Sequence, residues 1–356
     1  MKPHDVGEEM EELKFGVFDH LDRGERSISD LFEQRLQIVE QYDRAGFYAY
    51  HLAEHHSTPL GMAPSPSVFL SAVAQRTKKL RFGPMVYLLP LYHPIRLAEE
   101  IAMLDQLSHG RLEVGVGRGR SPIELMLYGT DVDQAQAIFD ETFSIMQLAF
   151  SQDRINFTGK HFNFHNVPVE LRPLQQPHPA FWYGIGTPES AEQYGEQGFH
   201  GVTLAKPAAA AEITRRFYEA SARGGWRGRR MGICRFIVVG QTDREAQELA
   251  ARTYPVWHAS FFELFRRYGQ KPVQIWPASF EEMAANGLAF AGSPQTVTQA
   301  LSAQLKAIGS NYLVGQFVFG DMSLAESTKS IELFASGVMP GLLRVHRTAQ
   351  QAAAAG

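Results

Sequence analysis

Short apolar strands alternate with amphipathic helices from near the start of this chain to its end, and that alternation leaves few architectures open. Lys14 to Phe18 reads as a strand, and Ser27 to Ala45 then carries Leu31, Phe32, Leu36, Val39 and Tyr42 near the 3.6-residue helical period, with Gly46 as its stop. The pattern repeats as strand Tyr48 to Ala53, helix Ser65 to Arg76, strand Leu80 to Leu88, helix Pro94 to Leu107, strand Arg111 to Val116 and helix Asp133 to Phe150. It continues as strand Phe181 to Tyr183, helix Pro188 to Gln197, strand Gly201 to Leu204, helix Ala208 to Arg223, strand Gly232 to Val239 and helix Asp243 to Arg252. Helix Pro294 to Ile308, strand Tyr312 to Phe319 and helix Leu324 to Ser336 complete it. Strands and helices in turn mean parallel βαβ units. The strand count is eight, which favours a closed (β/α)8 TIM barrel over an open doubly wound sheet, although periodicity alone does not register closure.

Two segments break the alternation. Ile155 to Leu171 alternates aromatic and polar residues around Thr158-Gly-Lys160, as a small hairpin does. Tyr254 to Ala289 holds Pro255, Pro272 and Pro277 and no clean period, so it is expected to be an irregular lid. The expected organisation is an N-terminal extension over 1–13 and one barrel domain over 14–343 with insertions near 155–171 and 254–289. A C-terminal tail over 344–356, frayed from Thr348, completes it.

Composition narrows the function. With 34 Lys+Arg against 38 Asp+Glu and a net charge of -4, the chain lacks the broad basic footprint that nucleic acid requires. A single cysteine, Cys234, excludes an intrachain disulfide and multi-cysteine metal sites, and suits a cytoplasmic location. No run of about 18 apolar residues occurs, and Met1 to Leu13 has no secretory apolar core, so neither membrane insertion nor export is expected.

In a barrel, reactive groups belong where strands end. Glu54, His55 and His56 end the second strand, Tyr87 to His93 follow the third, Gly117 to Gly119 the fourth, and Gly184 to Ser190 the fifth. In the last stretch Thr187 reads as an N-cap and Pro188 as the first helical residue, with free N–H groups available to an anion and Arg118 close by as its guanidinium partner. Gly115-Val-Gly-Arg-Gly119 is not a dinucleotide fingerprint, because Arg120 stands where a third glycine is needed. His51-Leu-Ala-Glu-His55 matches H-x-x-E-H, but on a strand the two imidazoles lie about 13 Å apart and do not share a zinc. No metal site is expected.

Taken together, Phe18-Asp-His20, Ala53-Glu-His-His56, Leu89-Pro-Leu-Tyr-His-Pro94, the block from Asp105 to Gly119 and Phe319-Gly-Asp-Met322 make the chain resemble the bacterial luciferase-like family of flavin-dependent monooxygenases. The resemblance spans roughly Leu13 to Leu343 and implies a (β/α)8 barrel with reduced FMN across its mouth. Its phosphate would lie near Arg118, Gly186, Thr187, Glu189 and Ser190. His55 would be the catalytic, proton-handling histidine. Met85 and Val86 match the pair beneath the flavin ring, where the family often has a non-proline cis peptide. Gly117 stands where the light-emitting catalytic subunit has a reactive cysteine, so light emission is not expected. The implied reaction oxidises a small organic substrate, aldehyde-like or other, with O2 through a flavin C4a-hydroperoxide. A separate NAD(P)H-dependent flavin reductase would supply reduced FMN, and a homodimer is implied. An F420-dependent oxidoreductase of the same fold and a non-catalytic flavin-binding protein remain open beside this reading.

Overall fold

A computed structural model describes residues 12–354. Most of the extension expected over 1–13 lies outside the described residues. The elements run β1 (Lys14–Asp19), α1 (Ile28–Ala45), β2 (Ala49–Leu52), α2 (Pro66–Arg76), β3 (Arg81–Pro84), β4 (Tyr87–Leu88), α3 (Pro94–Leu107), β5 (Val114–Gly117), α4 (Pro122–Leu127) and α5 (Ala135–Ser151). They continue through β6 (Arg154–Thr158), β7 (Asn163–Pro168), β8 (Phe181–Gly184), α6 (Pro188–Glu196), β9 (His200–Thr203), α7 (Pro207–Arg223), β10 (Met231–Val239) and α8 (Asp243–Arg267). The chain closes with α9 (Phe280–Ala285), β11 (Ala289–Gly292), α10 (Pro294–Ile308), β12 (Tyr312–Gln316), α11 (Leu324–Leu333) and α12 (Met339–Ala354).

The strands pair in the order β3-β2-β1-β12-β10-β9-β8-β5-β4, and every barrel pairing is parallel. The two ends of that order meet, because β3 and β4 are consecutive halves of one stretch and Phe82 bridges Leu112 beside β5. The TIM barrel read from the sequence is therefore the observed fold. β6 and β7 form the expected antiparallel hairpin. β11 adds a strand the sequence reading missed, pairing with the upper half of β10 from Phe236 to Val239.

Local chemistry accounts for the helix boundaries. Ser27, Thr187, Thr242, Ser293 and Ser323 each accept the N–H three residues on, satisfying an orphan donor of the first turn. Gly46 and Gly309 end α1 and α10 with positive φ, which a glycine adopts without a Cβ penalty.

Two cores result. Between barrel and helices lies a large apolar shell, from Phe15, Phe47 and Phe334, which pack on one another, to Trp257 and Trp276. Within the barrel, Trp182, Val202, Cys234, Tyr312 and Val314 pack together, with Phe18, Tyr48 and Met85 against them. Cys234 is thus the buried core residue its isolation suggests.

The segment expected to be irregular departs from expectation in its first part. Tyr254 to Arg267 is the second half of α8, with Pro255 inside the helix. Tyr254, Trp257 and Leu264 fall on its buried face, and the Tyr254 and Trp257 rings pack on Phe236. Helical spacing of those apolar residues outweighs the lost hydrogen bond at Pro255, which sits on the exposed side. Residues 268–279 alone lack regular structure before α9. At the other end, the tail expected from residue 344 is helical through Ala354.

Candidate active site

The barrel strands all point the same way, so the loops leaving their carboxyl ends share one mouth. After β2, Glu54 and His55 face opposite sides, as alternation along an extended chain requires. Glu54 is buried: its Oε1 lies 2.8 Å from His56 Nε2, its Oε2 accepts the Leu88 N–H at 3.1 Å, and the Tyr128 hydroxyl meets His56 Nδ1 at 2.8 Å. Burial pushes the Glu54 carboxyl up, against the pull of His56. This network ties β2 to β4 and the end of α4.

His55 turns the other way. Its Nδ1 lies 3.2 Å from Glu124 Oε1, and the same oxygen accepts the His56 N–H at 2.7 Å. The ring stacks on His20 at a centroid separation of 5.3 Å and an interplanar angle of 24°. Its side chain is 29% exposed while Glu124 is 5% exposed, so the imidazole spans the boundary between a buried carboxylate and the open mouth. Burial draws the His55 pKa down, but the Glu124 charge and hydrogen bond outweigh it and the net direction is up. Glu124 moves oppositely: burial would raise it, and the His55 pairing holds it below the usual carboxylate range.

Met85 and Val86 sit between β3 and β4, and the peptide bond joining them is cis. The Met85 N–H donates to Leu52 O at 2.7 Å, and its side chain leans on the barrel interior. Val86 crowds Gly117 so closely that a Cβ there would overlap its methyl group, which explains locally why no cysteine or other side chain occupies position 117.

Arg118 and the Gly186–Ser190 turn leave the neighbouring strands β5 and β8. Arg118 is exposed, and its charge acts on Tyr194 of α6, whose hydroxyl burial holds above its ordinary pKa. Gly184 and Gly186 face open space, with no atom within 4 Å of where a Cβ would stand. The free amides expected at the turn are largely absent. A capping box uses Thr187 N–H and Ser190 N–H, and proline at 188 has none. Glu189 adds a carboxylate held low by its own main-chain N–H and the Thr187 hydroxyl. Arg118 is thus the main cationic feature of this corner.

Four residues to which the sequence reading gave no role belong to this region, Gln316, His20, Asp22 and Glu124, and of these His20 and Glu124 contact His55. Gln316 ends β12 with its Nε2 3.3 Å from His20 Nδ1, and His20 is buried and held neutral by burial, with His55 and Arg35 adding to it. Both follow the strand-end rule and could have been found by it. Asp22 is buried, accepts from Ser260 Oγ at 2.8 Å through one oxygen, leaves the other unpartnered, and burial raises its pKa to about 7. Glu124, on a six-residue helix, carries no periodic signal in sequence. Facing the same mouth, Arg120 Nη1 reaches Gln274 Oε1 at 3.5 Å, which places the irregular 268–279 segment beside it.

Comparison with known proteins places this geometry among relatives. A family model described as luciferase-like monooxygenase matches residues 13–311. The protein y4wF of Sinorhizobium fredii is 40% identical over 318 residues, covering 88% of this chain and 93% of that one. The oxygenase component of the flavin-dependent trigonelline monooxygenase of Acinetobacter baylyi is 30% identical over 184 residues, 51% of each chain. The oxygenating constituent of 3,6-diketocamphane monooxygenase of Pseudomonas putida, a Type II Baeyer-Villiger monooxygenase in complex with FMN, shares the fold with a TM-score of 0.79 at 24% identity. That match covers 92% of this chain and 98% of that one.

Proposed function

The chain belongs to the luciferase-like monooxygenase family, and on that premise we propose that it oxidises a small organic substrate with O2 and reduced FMN. One observation carries the reading: a half-open imidazole, His55, shares the barrel mouth with an exposed guanidinium, Arg118, and with two glycines that no neighbouring side chain crowds. A proton-handling group and an anion partner at one opening are what a phosphorylated redox cofactor needs. Arg118 would hold the phosphate with Gly186, Thr187 and Ser190 around it, and Glu189 would sit at the rim. Met85 and Val86 would support the ring system. When bound, reduced FMN supplies two electrons to O2, of which one oxygen atom enters the product and the other leaves as water.

The chain's own part is protonic and protective. His55 gives or takes a proton at the mouth, and Glu124 keeps its ring oriented. The 268–279 segment, with Val273 and Ile275 exposed, would cover the opening and keep water out. A separate reductase, as the name "oxygenase component" of the Acinetobacter relative suggests, a homodimer and a cytoplasmic location accompany this reading.

The test is a pair of titrations followed by turnover. FMN should bind more tightly than riboflavin and than F420, and chemically reduced FMN with O2 should give oxygenated product with little H2O2. Tighter binding of F420 would favour the deazaflavin alternative; binding without any substrate oxidation would favour a carrier.

A further inference from the structure

We infer that Glu124 is the positioning residue of His55, fixing which ring nitrogen works and how readily it is protonated. The inference rests on the reading that His55 handles protons at the mouth, but the contact itself stands on geometry. One Glu124 oxygen takes both the His55 Nδ1 proton, at 3.2 Å, and the His56 main-chain N–H, at 2.7 Å, so ring and loop are held to one point. Glu124 is placed there by α4, whose N-cap Ser121 accepts the Glu124 N–H and whose Pro122 starts the helix. The Glu124 side chain is 5% exposed, so its charge is little screened by solvent.

The consequence concerns the opposite ring nitrogen. A carboxylate accepts only, so Nδ1 carries the proton and Nε2 carries the lone pair in neutral His55. Nε2 has no hydrogen-bond partner among the described residues, and it is the atom left to exchange a proton with a ligand. The groups in contact with His55 are Glu124 from α4 and His20 from beyond β1, and Glu54, turned to the other side of its own segment, adds only the pull of its charge. His20 is stacked and stays neutral, so of the two rings only His55 takes up a second ring proton.

The test is NMR titration of His55 in the full, flavin-free chain. Glu124→Gln keeps the shape and removes the charge, so the His55 pKa should fall by about one unit or more, roughly a tenfold change in protonation. An unchanged titration overturns the inference. Should that variant not fold, nitrogen shifts of wild-type His55 above its pKa decide: a proton on Nδ1 upholds the inference and one on Nε2 overturns it. Activity separates this inference from the proposed function. If the NMR pKa moves but the pH profile of oxidation with chemically reduced FMN does not, Glu124 still positions His55 and His55 is removed from the reaction.

Discussion

His51 and His55 leave the same strand region within one turn of sequence, yet the fold gives them opposite characters. His51 lies in the barrel interior, its Nε2 2.7 Å from the Tyr312 hydroxyl and its ring 5.0 Å from Trp182, and burial alone pulls its pKa down to about 3. His55 stands at the mouth, where the Glu124 carboxylate overcomes burial and raises its pKa. Being largely inside the protein does not decide an imidazole's charge; the partner does. The interior histidine is a packing and hydrogen-bonding residue, and the mouth histidine is chemically poised.

The sharpest way to break this contrast is kinetic. His55→Ala should lower substrate oxidation with chemically reduced FMN by about 10²–10⁴-fold and divert turnover to H2O2, while FMN affinity is largely kept. Wild-type rates with wild-type peroxide leakage would refute the assignment. On the interior side, Trp182→Ala should cost about 3–5 kcal/mol in denaturant unfolding, because it empties the centre of the barrel core. A loss below 1 kcal/mol would mean the interior collapses to fill the gap.

A smaller effect is expected at Arg118, on the loop that leaves β5. Arg118→Ala should weaken FMN by roughly 1.5–3 kcal/mol, as loss of a charge-assisted hydrogen bond does, and leave riboflavin unchanged. Equal losses for both ligands would place the phosphate elsewhere.

Titration compares the two histidines directly. His51 should show no protonation above about pH 5, and His55 should titrate above the ordinary histidine value. His55 has a raised folded pKa, so its contribution to stability is full below the unfolded value near 6.5 and is lost as pH rises through the folded value. Glu124 has a depressed folded pKa, so its contribution is full above the unfolded value near 4.5 and is lost as pH falls through the folded one. The pair therefore holds best across mildly acidic pH. A thermal midpoint in His55→Gln that tracks wild type through both limbs would contradict this.

The least effect is expected at Asp22. Its folded pKa of about 7 is raised, so ionisation favours the unfolded chain and stability falls as pH climbs from about 4 to 7. Asp22→Asn should remove that loss, raising the melting midpoint by about 2–4 °C at pH 8 and not at pH 4. The same gain at both pH values would trace the effect to packing instead.

Some of this was legible in the chain and some was not. The βα alternation, the Ser and Thr caps and the glycine stops are local, so the barrel and most helix boundaries could be read from residues a few positions apart. The same holds for His55, because strand ends mark the mouth and alternation separates His55 from Glu54. Pro255 misled the reading of α8: a proline is a strong local signal, and the burial of Tyr254, Trp257 and Leu264 that overrides it depends on Phe236 and Phe280, which come from other elements. The anion site at Thr187 looked open because the motif does not show that Ser190 closes a capping box on it.

Sequence alone determined the fold class and the end of the strands at which His55 stands, since both follow from period and order along the chain. Only the tertiary structure decided that His51 is neutral, that His55 is paired, and that Glu124 and His20 are its neighbours. Those facts depend on distances of a few ångströms between residues tens of positions apart, where burial and a single carboxylate pull a pKa in opposite directions.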